Sequence, residues 1–155
     1  MRLITYDNGP RFELGKFTPI KNAGWIKPYG GLWSSPIDSV YGWKEWRQET
    51  GFDRPIAESF IFDYSGHILR IDTRADMDLL DWIAHPDGLW DGIDFEAMAR
   101  RGIDAIHLTV DGEQATNFHA CYPSHKNLCG WDCESVLIMN PLGVRELEPC
   151  ASIMQ

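Results

Sequence analysis

A chain of 155 residues with 44% hydrophobic and 24% charged residues can fill one substantial core and lacks the composition of a disordered segment. Its formal net charge of −9 and pI near 4.9 argue against passive adhesion to nucleic acid or an anionic membrane. The sequence has no basic-then-apolar leader and no run of about 18 apolar residues, so a cytoplasmic protein without signal peptide or membrane span is expected.

Gly and Pro are spread without a linker, so a single domain over 1–155 is expected, and no internal repeat is visible. The four cysteines (Cys121, Cys129, Cys133, Cys150) all fall late, where a cytoplasmic chain holds free thiols or metal ligands before disulfides. Leu3 to Tyr6 reads as a first strand, stopped by the turn signal Asp7-Asn8-Gly9-Pro10. Arg11 to Thr18 suits a second short strand. Between Lys21 and Pro36 the breakers Gly24, Pro28, Gly30 and Gly31 leave a loop with a brief extended piece at Gly31 to Ser34.

Ser35-Pro36 reads as an N-cap and first position of a helix through Val40, Trp43, Trp46 and Arg47, its tryptophans facing the core and its end at Thr50-Gly51. Phe60 to Asp63 and His67 to Asp72 read as a hairpin about Tyr64-Ser65-Gly66. Met77, Leu80 and Ile83 share one face of an expected helix over Asp76 to Ala84, ended by His85-Pro86. A loop from Asp87 to Gly92 leads to a helix at Asp94 to Arg101, capped by Asp94 and closed by Gly102. Asp104 to Val110 is a strand, Gln114 to Leu128 an irregular loop, and Val144 to Leu147 a last strand. Strands scattered among three short helices, without regular βαβ alternation, predict an α+β fold with mainly antiparallel sheets.

The stretch Trp131 to Pro141 concentrates the chemistry. Val136 to Met139 reads as a buried strand closed by Asn140-Pro141, with Glu134 at its mouth. Alternation puts Asp132, Glu134, Val136 and Ile138 on one face and Cys133, Ser135, Leu137 and Met139 on the other. A carboxylate beside an apolar strand either reaches water or is put to use.

Gly30-Gly31-Leu32-Trp33-Ser34-Ser35 supplies backbone approach, hydroxyls and an indole face, with a tryptophan-bearing helix behind it. These residues, the Phe95 to Ile106 element with Gly-Ile-Asp-Ala-Ile, and a glutamate leading a strand through Asn140-Pro141 resemble, in that order, an ADP-ribosyltransferase domain. The resemblance implies two small sheets around an NAD cleft and transfer of ADP-ribose from NAD, as substrate, to a macromolecular acceptor, protein or nucleic acid. It implies Glu134 as the catalytic glutamate stabilising an oxocarbenium-like ribose, with Asp132 two residues earlier. Tyr6, Gly31, Trp33, Ser34, Ser35, Tyr41 and Trp131 fall at the implied NAD cleft. The first strand departs from the family in ending without His or Arg. Such an enzyme would suit a toxin or phage effector with an inhibitor or antitoxin protein.

The alternative is a non-catalytic nucleotide- or partner-binding protein on the same scaffold, stapled by zinc through His119, Cys121, His125, Cys129 and Cys133, although no Cys-x-x-Cys pair occurs. The acids from Asp72 to Asp94 lack a calcium-loop pattern and suit caps and solvated faces. His67 and His107 read as hydrogen-bonded core histidines. No P-loop, dinucleotide fingerprint or Gly-x-Ser-x-Gly occurs.

Overall fold

The computed structural model describes residues 1–52 and 58–147. It is a mixed α/β fold built on one seven-stranded sheet and a separate two-stranded ribbon, with few helices. The two small sheets expected from the sequence are thus replaced by a single large one beside a ribbon.

The large sheet contains β1 (Arg2–Tyr6), β2 (Leu32–Pro36), β3 (Ser59–Tyr64), β4 (Ile68–Ile71), β7 (Ala105–Leu108), β8 (Ser135–Ile138) and β9 (Val144–Glu146), in the order β4-β7-β8-β2-β1-β3-β9. Every pairing is antiparallel except β4 with β7. The ribbon pairs β5 (Trp82–Ala84) with β6 (Asp91–Ile93). Strand β8 is buried at all four positions, as a central strand covered on both faces must be.

Two apolar layers cover the two faces. One holds Leu137, Met139, Ile106, Leu108, Ile71 and Trp131, with Phe95 and Met98 of α2 (Phe95–Arg100). The other holds Leu3, Leu32, Phe60, Phe62, Ala105, Val136 and Ile138. Alternation along β8 therefore assigns odd residues to the first layer and even residues to the second. The expected α2 stands as read: the Asp94 carboxylate accepts from the Ala97 N–H at 2.8 Å, and Gly102 follows at φ +87°.

Other elements differ from their local signals. Leu14–Lys16 is a 3₁₀ turn rather than a strand. Ser35-Pro36 ends β2, and the helix α1 (Trp43–Thr50) starts only after Gly42, whose N–H bonds the Glu45 carboxylate. Its tryptophans are only half-buried, stacked on each other at 4.7 Å, and the buried side chain is Arg47, paired with Asp7 at 2.7 Å. β3 and β4 are not a hairpin, because β3 pairs with β1 and β9 while β4 lies at the far edge on β7. The expected helix over Asp76 to Ala84 is a 3₁₀ turn at Arg74–Leu79 followed by β5, since Trp82 pairs with Ile93. The region read as an irregular loop carries α3 (Val110–Thr116) and α4 (Phe118–Cys121), capped by Thr109 and Asn117. Gly112 in α3 permits that helix to sit against β4: a Cβ there would stand 2.0 Å from the Ile71 carbonyl oxygen.

No helix of the described residues is long and apolar enough to cross a membrane.

Candidate functional site

The sheet order puts β8, β2 and β1 side by side, and a cavity of about 340 Å³ opens against them. Its lining comes from the end of β1 (Tyr6, Asp7, Asn8), from β2 (Trp33, Ser34, Ser35), from Trp43 at the start of α1, from Lys27, and from the mouth of β8 (Gly130 to Cys133, and Ser135). The register Trp33↔Leu137 explains why Trp33 joins the odd-numbered face of β8.

Aromatic rings dominate the cavity. Trp131, 2% exposed, meets Trp33 edge to face at a centroid distance of 4.7 Å and donates its Nε1–H to the Ile26 carbonyl at 2.7 Å. Lys27 Nζ stands 5.9 Å from the Trp33 ring centroid, close enough for a cation–π contact. The serine hydroxyls are engaged in holding the frame. Ser34 Oγ donates to the Val136 carbonyl at 3.0 Å, and Ser35 Oγ donates to the Glu134 carbonyl at 3.1 Å while accepting from the Trp43 N–H. Thr5 Oγ1 donates to the Trp33 carbonyl and accepts from Asn8 Nδ2.

Two features mark the cavity as more than packing. Asp7 has φ +61°, the one positive value at a non-glycine among the described residues, and backbone held this way collects at functional sites. Asp132 is exposed and brings a carboxylate to the cavity. Burial pushes the Tyr6 phenol above its usual range, aided by the nearby Glu45 charge, and burial pushes the Cys133 thiol up to about 11. Both groups therefore stay protonated at neutral pH and act as donors or apolar surface, not as nucleophiles.

Glu134 is not among the cavity's lining residues. It points, as alternation requires, to the face of Val136, where His107 Nε2 and Glu134 Oε1 are 2.8 Å apart. The pair sits in an open groove of about 580 Å³ with Arg2, Arg70 and the 36–40 segment. Burial alone would raise the Glu134 carboxyl, but the hydrogen bonds from His107 and Ser39 and the charges of His107 and Arg70 outweigh it and hold the carboxyl below the usual range. The Tyr41 carbonyl accepts from the Glu134 N–H at 3.0 Å.

Of the nine residues expected at the site, Tyr6, Trp33, Ser34, Ser35, Trp131 and Asp132 meet in the cavity. Tyr41 lines neither the cavity nor the groove; its phenol donates to Glu49 and is pushed up to about 12. Gly31, at φ +73°, lies against β8, where a Cβ would stand 2.7 Å from Leu137 Cδ1. Sequence reasoning missed Lys27, Asn8 and Trp43; the Asp7-Asn8-Gly9-Pro10 turn at a strand end was the available signal for one of them.

The zinc staple does not assemble. Among the described residues no three of His, Cys, Asp and Glu converge to hold a metal. Cys121 is buried with its Sγ toward the Ala115 carbonyl, His119 packs on Phe118, His125 and Cys129 line a separate small pocket, and Cys133 lies beside Ser135.

The arrangement can offer an indole face to a planar ring, a carboxylate to a sugar, and an ammonium group to an anion. Comparison with protein-family models, with the curated proteins and with the solved structures finds no match.

Proposed function

We propose that this chain cleaves the nicotinamide–ribose bond of NAD and transfers ADP-ribose to a macromolecular acceptor, with the dinucleotide seated in the aromatic cavity. The observation that carries this reading is the adjacency of β1, β2 and β8 around one cavity that gathers six of the nine expected residues.

The nicotinamide ring of NAD carries a positive charge that an indole face stabilises by about 0.5 to 2 kcal/mol. As the C–N bond breaks, its electron pair leaves with neutral nicotinamide and positive charge develops on the ribose, as in glycoside hydrolysis. The acceptor nucleophile then bonds the anomeric carbon and loses its proton. Asp132 is the carboxylate that faces this charge, so the role expected of Glu134 passes to Asp132. Lys27 supplies a cationic contact for the pyrophosphate. Glu134 holds the other side of the strand mouth through His107.

Nicotinamide release from NAD, with and without cell lysate, tests this. Asp132→Asn is expected to reduce the rate about 10²-fold, the usual loss for one electrostatic stabiliser of a transition state. A rate that falls with Glu134→Gln and not with Asp132→Asn would move the reaction to the opposite groove and reject this site. NAD binding without release would make the chain a binding protein, and absence of both would dismiss the reading altogether.

A further inference from the structure

Behind the Trp25 to Lys27 segment lies a second pocket of about 160 Å³, below the roughly 300 to 1,000 Å³ of a site for a whole drug-sized ligand and suited to one ring system. Trp25 and Trp90 form its aromatic walls, and each is braced from outside the pocket lining. His85 lies 5.3 Å from the Trp25 ring at an interplanar angle of 30°, and Phe118 meets Trp90 edge to face at 5.4 Å. Trp25 remains 52% exposed, so its ring is accessible to a ligand.

The polar lining is incomplete in a specific way. Asn127 is 3% exposed, and its Oδ1 accepts the Cys129 N–H at 3.0 Å. That bond fixes the amide orientation and leaves Nδ2 as the pocket-side donor, with no partner among the described residues. Nδ2 keeps contact with solvent and is open to a ligand acceptor. Asp91, on β6, lines the same pocket, and its carboxylate likewise has no partner among the described residues.

From these features we infer that this pocket binds a single nucleobase, stacked on Trp25 and Trp90, with Asn127 Nδ2 donating to a ring nitrogen or carbonyl and Asp91 accepting from an amino or ring N–H. A quaternary ammonium ion would suit two indoles and a carboxylate but offers nothing to Asn127. A sugar would satisfy the polar groups but leave the indoles without a planar partner. A base meets all four residues. It has two sources, the adenine of a dinucleotide or the base of a separate nucleotide, and the pocket's chemistry is the same for both. The inference does not rest on ADP-ribose transfer.

Calorimetric titration of the whole chain with AMP, GMP, CMP and UMP, with ribose 5-phosphate and choline as controls, tests it. Saturable binding of at least one mononucleotide is expected, with neither control binding. Trp25→Ala, at an exposed position that folding does not need, is expected to weaken binding about ten-fold, as loss of one stacking face does. Asn127→Asp keeps the acceptor for the Cys129 N–H and removes the donor, so it should weaken binding as much; Asp91→Asn should change which base is preferred. If Trp25→Ala weakens NAD and AMP by the same factor, the base is the dinucleotide's own adenine; if it weakens a mononucleotide and leaves NAD unchanged, the base belongs to a separate nucleotide. Binding of ribose 5-phosphate or choline as tight as any mononucleotide, binding unaffected by Trp25→Ala and Asp91→Asn together, or no mononucleotide binding would overturn the inference.

Discussion

Replacing Trp131 by alanine is expected to lower the unfolding free energy by about 3 to 5 kcal/mol, the range for removing a buried large aromatic side chain. The indole is 2% exposed, belongs to the apolar layer of Leu128, Leu137 and Met139, and braces Trp33 at 4.7 Å. Its Nε1–H satisfies the Ile26 carbonyl, so the truncation leaves both a void and an unmade hydrogen bond. Trp131→Phe separates the two terms: it keeps much of the ring and loses the donor, for about 1 to 3 kcal/mol. Urea unfolding followed by far-ultraviolet circular dichroism measures both without relying on the indole signal. An alanine variant within 1 kcal/mol of wild type would contradict the packing described around this residue.

The second large effect belongs to the His107–Glu134 pair. The side chains are 4% and 13% exposed, so solvent screens little of the interaction. Glu134→Ala should cost about 3 kcal/mol, where the ranges for an orphaned buried partner and for a broken buried pair meet. His107 Nδ1 is buried without a partner, so Nε2 and the Glu134 carboxylate carry the ring's one side-chain hydrogen bond among the described residues.

The pH dependence follows from the depressed Glu134 pKa. The unfolded chain binds this proton more readily than the folded one, so the pair's contribution is complete above the ordinary glutamate value of about 4.3 and is lost as pH falls through the lower folded value. Asp72, Asp76, Asp94 and Asp104 are also held low, so wild type alone will not isolate the effect. The difference in urea midpoint between wild type and Glu134→Gln should shrink as pH falls below about 4. A difference that keeps growing below about pH 4 would refute the assignment.

Where local chemistry decides conformation, the sequence was sufficient. β1 ends at its Asp-Asn-Gly-Pro turn, α2 begins at its Asp94 cap, and β8 follows its run of branched and apolar residues. Where partners lie far along the chain, it was not. Tyr64-Ser65-Gly66 has hairpin chemistry, yet its flanking strands find partners at opposite sides of the sheet, and Ser65 N–H bonds Gly143 instead. Met77, Leu80 and Ile83 fit a helical face and also fit a 3₁₀ turn followed by an extended segment; pairing with β6 selected the latter. Gly112 masked α3 because its missing side chain looks like a helix breaker, whereas it is a contact surface.

The site divided along the same line. Alternation correctly separated Glu134 from Cys133 and Ser135, but only the β2–β8 register reveals which of those faces carries Trp33. Two residues one peptide bond apart thus serve different sides of the sheet. Asp132 escaped its expected face because the regular strand begins only at Ser135.

The place of β8 between β7 and β2 also bears on synthesis. Ser34 waits for Val136, so β2 presents an unpaired edge for about a hundred residues of translation, roughly 5 to 20 s at the usual rate. During that interval β1 to β3 have a hydrophobic face that β8 has yet to complete, a high-contact-order step reached near the end of the chain. Nascent protein is therefore more exposed to aggregation than the finished fold, and a chain stopped at Gly130 should partition into the insoluble fraction on expression while the full chain does not.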